Sequence, residues 1–202
     1  MNEVRAIHVS GYQRVSQDFY RTPSWVTAAL LKYVTLRGPV WEPCCGDGAM
    51  ANVFTERGHT VVASDIVDRG YGKSGVDFYD CRAFPAGCTA LITNPPYGES
   101  GPANRAVGFS RAAMPRFVRH ALSLTAQAQG QLALLVRLQW SAGKHASDLI
   151  TSGPFDTMVV LTRRICWFDM GDKTQTGQHH HCWLFWDYQR NSTCPPRIVF
   201  SN

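Results

Sequence analysis

The chain has 202 residues, long enough to bury a sizeable core, and its 45% hydrophobic and 17% charged residues read as globular and not disordered. No apolar run reaches the length of a membrane span, and the opening MNEVRAIHVSGYQRV lacks the apolar stretch of a signal peptide, so a cytoplasmic protein is expected. The formal charge of +5 is uneven: residues 1–100 hold nine Lys and Arg against ten Asp and Glu, whereas residues 101–202 hold eleven against five, so the second half suits a polyanionic partner.

In chain order, TPSWVTAALLKYV places apolar residues at helical spacing behind Thr22-Pro23, a good helix start. GPVWEPC is a short apolar run ending at a glycine loop and predicts a strand. AMANVFTERG predicts a helix closed by Gly58, HTVVASDI a buried strand, VDFYD a short third strand and ALITN a buried fourth. AVGFSRAAMPRFVRHALSLTAQAQ is largely helical with Pro115 near its start, GQLALLVRLQW is a strong strand, and SAGKHASDLI is a short helix or loop. DTMVVLTRRI and HHCWLFWDY predict two last strands around a polar, turn-rich segment. Alternating strands and helices give right-handed crossovers and a mainly parallel α/β sheet with helices on both faces. The last two strands lack an intervening helix and should pair as an antiparallel hairpin at the sheet end. A single domain over residues 1–202 with seven strands follows, its ligands bound beyond the carboxyl ends of the strands.

Seven cysteines with no C-x-x-C pair support neither a disulfide framework nor a zinc module. His179-His180-His181-Cys182 reads as part of a hairpin loop rather than a metal site, so no metal is expected.

EPCCGDGAMA, Glu42 to Ala51, is the first loop with chemical content. Gly46 and Gly48 allow a tight turn and a close ligand approach, and Asp65 follows nineteen positions after Gly46, at the end of the second strand. Gly46-x-Gly48-x-x-Ala51 also satisfies a dinucleotide fingerprint, so a nucleoside-containing cofactor is expected, with Asp65 on its ribose hydroxyls. Glu42 separates the candidates, because an acid there repels a pyrophosphate and attracts a cationic amino-acid tail. Asp77 can accept from an adenine amino group, and Phe78 can stack on its face. The set suits S-adenosylmethionine better than a dinucleotide. GYGKSG fails as a phosphate loop, since Val67 stands where its first glycine is required.

ITNPPYG, Ile92 to Gly98, ends the fourth strand with Asn94-Pro95-Pro96-Tyr97. In this motif the chain resembles the S-adenosylmethionine-dependent amino-methyltransferases, specifically the adenine-N6 DNA methyltransferases, whose signature is a strand ending in (Asn/Asp/Ser)-Pro-Pro-aromatic. The resemblance implies a class I, Rossmann-like methyltransferase fold and transfer of a methyl group to an exocyclic amine. An adenine amine is a poor nucleophile because its lone pair is delocalised. The Asn94 side-chain carbonyl and the Pro95 backbone carbonyl can accept its two hydrogens, the prolines preset the carbonyl direction, and Tyr97 offers a ring to an extruded base.

DFYRTP, Asp18 to Pro23, is similar to the aromatic-x-Thr-Pro element that closes over the methionine end of the cofactor in these enzymes, matching Tyr20, Thr22 and Pro23. The cofactor set implied is Tyr20, Thr22, Pro23, Glu42, Cys44, Gly46, Gly48, Asp65, Ile66, Asp77, Phe78 and Asn94. LLVRLQW and RRICWF look like later strands of phage-type adenine methyltransferases, so Trp167 or Phe168 could add a second aromatic wall for the base. Arg105, Arg111, Arg116 and Arg119 are the candidate phosphate contacts close in sequence to the motif.

The resemblance covers most of the chain from about Asp18 to Asp187. Larger family members carry a separate target-recognition domain. Here little remains beyond the catalytic sheet, so a short or relaxed target sequence is expected, on DNA or RNA, from a monomer or homodimer. RNA bases and cytosine-N4 share the same chemistry and stay open as targets. A protein glutamine is disfavoured, since only 41 residues precede Glu42, too few for the helical domain such enzymes carry. A cytosine-C5 mechanism needs a cysteine after the fourth strand, whereas Cys44 precedes the glycine turn. A non-enzymatic binding module, active only with a partner, is disfavoured by the intact Asn94.

Overall fold

The computed structural model describes residues 19–97, 99–100, 106–107, 113–151, 153–167, 177–191 and 193–202. Seven strands form one sheet in the order β2-β1-β3-β6-β8-β7-β9. β1 (Val40–Glu42), β2 (Val61–Ala63), β3 (Ala90–Thr93) and β6 (Gln131–Arg137) are mutually parallel. β8 (His181–Asp187) is antiparallel to β6 and to β7 (Phe155–Leu161), and β9 (Arg197–Ser201) closes the edge parallel to β7. β4 (Glu99–Ser100) and β5 (Ala106–Val107) form a separate antiparallel ribbon.

β1, β3, β6 and β8 read as nearly unbroken apolar runs because helices cover both sheet faces. Leu132, Leu134 and Val136 of β6, with Cys182, Leu184 and Trp186 of β8, pack on one side with Phe117 and Val118 of α3 (Ala113–Ala128) and Leu149 of α5 (Lys144–Thr151). The alternate residues Ala133, Leu135, Trp183 and Phe185 face the other side, with Val26 and Leu30 of α1 (Ser24–Leu31) and Met50 and Phe54 of α2 (Ala49–Glu56). The short α4 (Leu138–Ser141) follows β6 directly. No helix among the described residues is long and apolar enough to cross a membrane. Among them, the cysteines form no disulfide.

Three sequence expectations are corrected. VDFYD is not a strand: Asp77 caps its own turn, its Oδ1 accepting from the Tyr79 amide at 2.9 Å, and Phe78–Asp80 forms a 3-10 turn. The seventh strand is instead β9, held at the edge by Arg197, whose guanidinium donates to Thr157 Oγ1 at 3.0 Å and to the Tyr33 carbonyl at 2.6 Å. The histidine run is not all loop, since His181 and Cys182 open β8, opposite Arg137 and Val136.

Candidate active site

The chain leaves β1 at Glu42 and enters α2 through the glycine loop. Gly46 (φ 55°) and Gly48 (φ 81°) both adopt left-handed backbone. A Cβ at Gly46 would lie 2.6 Å from the Phe19 ring, and one at Gly48 2.4 Å from the Tyr71 ring, so both positions also require the missing side chain. Asp65, just past β2, staples this loop. Its Oδ2 accepts from the Gly46 amide at 2.8 Å, and its Oδ1 accepts from the Val67 amide at 2.9 Å. Ile66 beside it is 50% exposed.

Glu42 is 2% exposed, and no cation pairs with it among the described residues. Burial pushes its carboxyl well above the usual carboxylate range; an amide hydrogen bond from Ala51 works against this, and the nearby charges of Asp65 and Asp47 add to it. Its Oε2 is covered and has no hydrogen-bond partner. Such an acceptor costs about 1–3 kcal/mol while unsatisfied. The Cys44 thiol is likewise pushed well up by burial, which keeps it protonated and a poor nucleophile.

Asn94 follows β3, and its side chain is fixed by the segment that precedes α1. Asn94 Nδ2 donates to Thr22 Oγ1 at 3.2 Å and lies 3.4 Å from the Tyr20 carbonyl. A peptide carbonyl only accepts, so the amide nitrogen must face Tyr20 and the carbonyl oxygen must turn away. That oxygen, Oδ1, is covered and has no partner. The same segment is pinned by Phe19 against Gly46 and by Arg21, which donates to Asp47 at 2.7 Å.

Around Asn94 stand several aromatic side chains. Tyr97 donates its hydroxyl to the Leu135 carbonyl of β6 at 3.2 Å, and the Arg137 guanidinium lies 5.5 Å from its ring centre. Tyr97 and His181 meet edge-on at 6.4 Å, His181 and Trp167 at 5.3 Å, and Trp167 and Tyr20 at 5.6 Å. His181 is 2% exposed. Burial, reinforced by Arg137, lowers its pKa to about 4, so the ring is neutral at physiological pH. Its Nδ1 donates to the His179 carbonyl at 3.1 Å. The sequence marked His181 only as part of the histidine run and did not mark Arg137 for the site. Their proximity comes from strand register, which spacing does not reveal.

Other anticipated residues lie elsewhere. The Phe78 ring is only 5% exposed and stacks on Phe117 with centroids 4.6 Å apart, so it belongs to the core instead of facing a cofactor base. Asp77 is engaged in capping. Arg116 stacks over Tyr79 at 4.1 Å, and Arg119 is exposed on α3. Arg105, Arg111 and Phe168 fall outside the described residues. An open groove bordered by Lys32, Arg57 and His59 lies at the amino ends of β1 and β2, the end of the sheet remote from Asn94.

No family model matches the sequence, and no curated protein does. Solved structures do match. A Listeria monocytogenes protein assigned to the class I S-adenosylmethionine-dependent methyltransferases superposes with a TM-score of 0.56 at 16% identity, over 95% of this chain and 67% of that one. The fold is the class I, Rossmann-like methyltransferase fold. The type I restriction enzyme EcoKI M protein gives a TM-score of 0.51 at 14% identity, over 87% of this chain and 45% of its own. A Pyrococcus horikoshii protein assigned as an RNA methyltransferase gives 0.51 at 15%, over 88% and 91%. The chain thus spans less than half the length of the EcoKI subunit. In the sheet, β8 inserts between β6 and β7, and β9 adds an edge strand beyond β7.

Proposed function

We propose that this protein transfers a methyl group from S-adenosylmethionine to the exocyclic N6 amine of adenine in DNA, with a short or relaxed sequence preference. The observation that carries the reading is Asn94: its amide nitrogen is held by Tyr20 and Thr22, and its carbonyl oxygen is turned away without a partner. A group aimed in this way matches an amine hydrogen.

The residues fit the cofactor. Glu42 is a buried carboxyl with an unpartnered oxygen, which suits a ligand carrying positive charge. Cys44, Gly46 and Gly48 belong to the glycine loop, Asp65 staples it with Ile66 exposed beside it, and the segment holding Tyr20, Thr22 and Pro23 is pinned to it through Phe19 and Arg21. When bound, the cofactor supplies a methyl group on a cationic sulfur. Ile66, exposed beside Asp65, takes over the apolar adenine contact first expected of Phe78.

In the transfer, Asn94 Oδ1 accepts one hydrogen of the amine, and the Pro95 carbonyl accepts the other. The nitrogen lone pair is then directed out of the base plane. As positive charge develops on nitrogen, both acceptors bind more strongly, which lowers the barrier more than it lowers the ground state, and the methylated nitrogen then sheds one proton to solvent to restore a neutral amine. Tyr97 and Trp167 supply flat walls for an extruded base, with the buried, neutral His181 packed edge-on between their rings. RNA is the second reading, supported by the RNA methyltransferase assignment of one structural neighbour.

Two variants probe the positioning. Thr22→Val keeps the shape of the side chain and removes the acceptor for Asn94 Nδ2. It is expected to lower kcat roughly fivefold, equivalent to about 1 kcal/mol, with Thr22→Ser near the parent. An unchanged kcat in Thr22→Val would remove Thr22 from the account. Tyr97→Phe keeps the ring and loses the bond to Leu135. It should retain much of the turnover, whereas Tyr97→Ala should raise KM for the nucleic acid by roughly 1–3 kcal/mol of lost stacking. Equal inactivity of Tyr97→Phe and Tyr97→Ala in steady-state kinetics would contradict the stacking role.

A further inference from the structure

Arg137 and Arg164 bring two cations to one corner of the site. Arg137 is the last residue of β6 and stands opposite His181 in β8. Arg164 lies just past β7 and is exposed, its Nε donating to His180 Nε2 at 3.1 Å. Leu138 donates its amide to the His180 carbonyl at 2.9 Å, which ties the start of β8 to the end of β6. Gly177 runs against the segment that follows β7. A Cβ there would lie 1.9 Å from the Ile165 carbonyl oxygen. Both guanidinium groups act on His179, whose pKa is lowered by burial and then by Arg137 and Arg164.

Neither arginine has a carboxylate partner among the described residues. The ion pairs found there are Arg21–Asp47, Arg37–Asp187 and Arg190–Asp156. Gathered like charges repel, and an anion held between them offsets that cost.

Resting on the proposed nucleic-acid substrate, we infer that Arg137 and Arg164 form a phosphate-binding rim that holds the nucleic-acid backbone beside the target nucleotide. The neighbouring surface decides between a nucleic acid and an acidic protein. Arg137 sits over Tyr97, and Tyr97 leads through His181 to Trp167, so flat neutral rings adjoin the cations. A nucleotide offers a matching pair, a stacking base and a phosphate one sugar away. Guanidinium forks also suit phosphate oxygens. His180 takes up the Arg164 Nε, which leaves the two terminal nitrogens as the donor pair. The rim differs from the α3 arginines expected from sequence, since Arg116 is stacked on Tyr79. It fixes position along the backbone and carries no base information, in keeping with a relaxed target sequence.

The test is fluorescence anisotropy of a labelled DNA oligonucleotide over a salt series, with the full chain and its Arg164→Gln and Arg164→Lys variants. Arg164→Gln should weaken binding and reduce the steepness of log affinity against log salt by about 1, the signature of one lost phosphate contact. Arg164→Lys should keep the salt slope and lose affinity through the missing fork. Unchanged cofactor affinity and thermal midpoint in both variants would show that the fold is intact. A parent-like affinity and slope in Arg164→Gln would overturn the rim while leaving the proposed methyl transfer standing. A parent chain that binds neither DNA nor RNA would instead sink the substrate reading itself. Binding of an acidic polypeptide in place of DNA, lost in Arg164→Gln, would overturn the rim in favour of a protein partner.

Discussion

Replacing Asn94 by Ala should lower kcat by about a hundredfold or more while S-adenosylmethionine still binds. The size follows from where the group acts. Asn94 Oδ1 meets little charge in the ground state and substantial positive charge in the transition state, so its loss falls on the chemical step. The orientation is already set before substrate arrives, because Nδ2 is held by Thr22 and Tyr20. A dipole whose orientation the fold holds in advance is what gives such groups their effect. Asn94→Ala leaves Glu42, Gly46, Gly48 and Asp65 untouched, so calorimetry should still report cofactor binding. Asn94→Asp tests the same point with a conservative change, since a carboxylate cannot donate to the Tyr20 carbonyl and the preset orientation is lost. Near-normal turnover of Asn94→Ala would rule out this mechanism.

Glu42→Gln should act in opposite directions on the bound and unbound protein. The Glu42 carboxyl is raised well above its ordinary range, chiefly by burial. In the unfolded chain it ionises at its usual pKa, about 4.3. Between that value and the raised folded value, the folded state binds more protons than the unfolded state, so stability falls as pH rises through this window. Gln cannot ionise. The unliganded variant should therefore be at least as stable as the parent at neutral pH, with the advantage shrinking as pH is lowered towards the ordinary carboxylate range. Cofactor binding should respond the other way. A cationic ligand favours the ionised carboxylate, so the parent should bind more tightly as pH rises through the raised pKa and should release a proton on binding. Glu42→Gln should weaken the cofactor by roughly 10- to 100-fold, or about 1.5–3 kcal/mol for a hydrogen bond to a charged group, and should abolish the pH dependence. Thermal melts and calorimetry across pH read both arms. An unchanged cofactor affinity, or a parent affinity independent of pH, would contradict the role given to Glu42.

Much of this was legible in the sequence because each feature is local. The apolar runs of β6 and β8 are long and continuous, and burial on both faces produces that signature. The glycine loop announces itself through two residues that adopt positive φ. The proline pair after β3 is equally local. What stayed hidden was relational. Residues 76–80 carry strand-like side chains, yet Asp77 hydrogen-bonds its own backbone and wins that segment for a turn. β9 leaves Ile198 and Phe200 60% or more exposed, so it lacks the buried pattern that identifies a strand. Asn94 meets Tyr20 and Thr22 across more than seventy positions, and the family resemblance had assigned those two to the cofactor instead of to Asn94. Arg137 and His181 meet only through the register of β6 and β8.

The central claim is that Asn94 presents its carbonyl to an adenine amine in nucleic acid. Its most direct test is transfer of a labelled methyl group from S-adenosylmethionine to DNA, RNA and protein in parallel, followed by hydrolysis and identification of the labelled nucleoside or amino acid. Label on N6-methyladenine from DNA, absent with Asn94→Ala, is the predicted result; label confined to protein, or carried on C5 of cytosine, would contradict it.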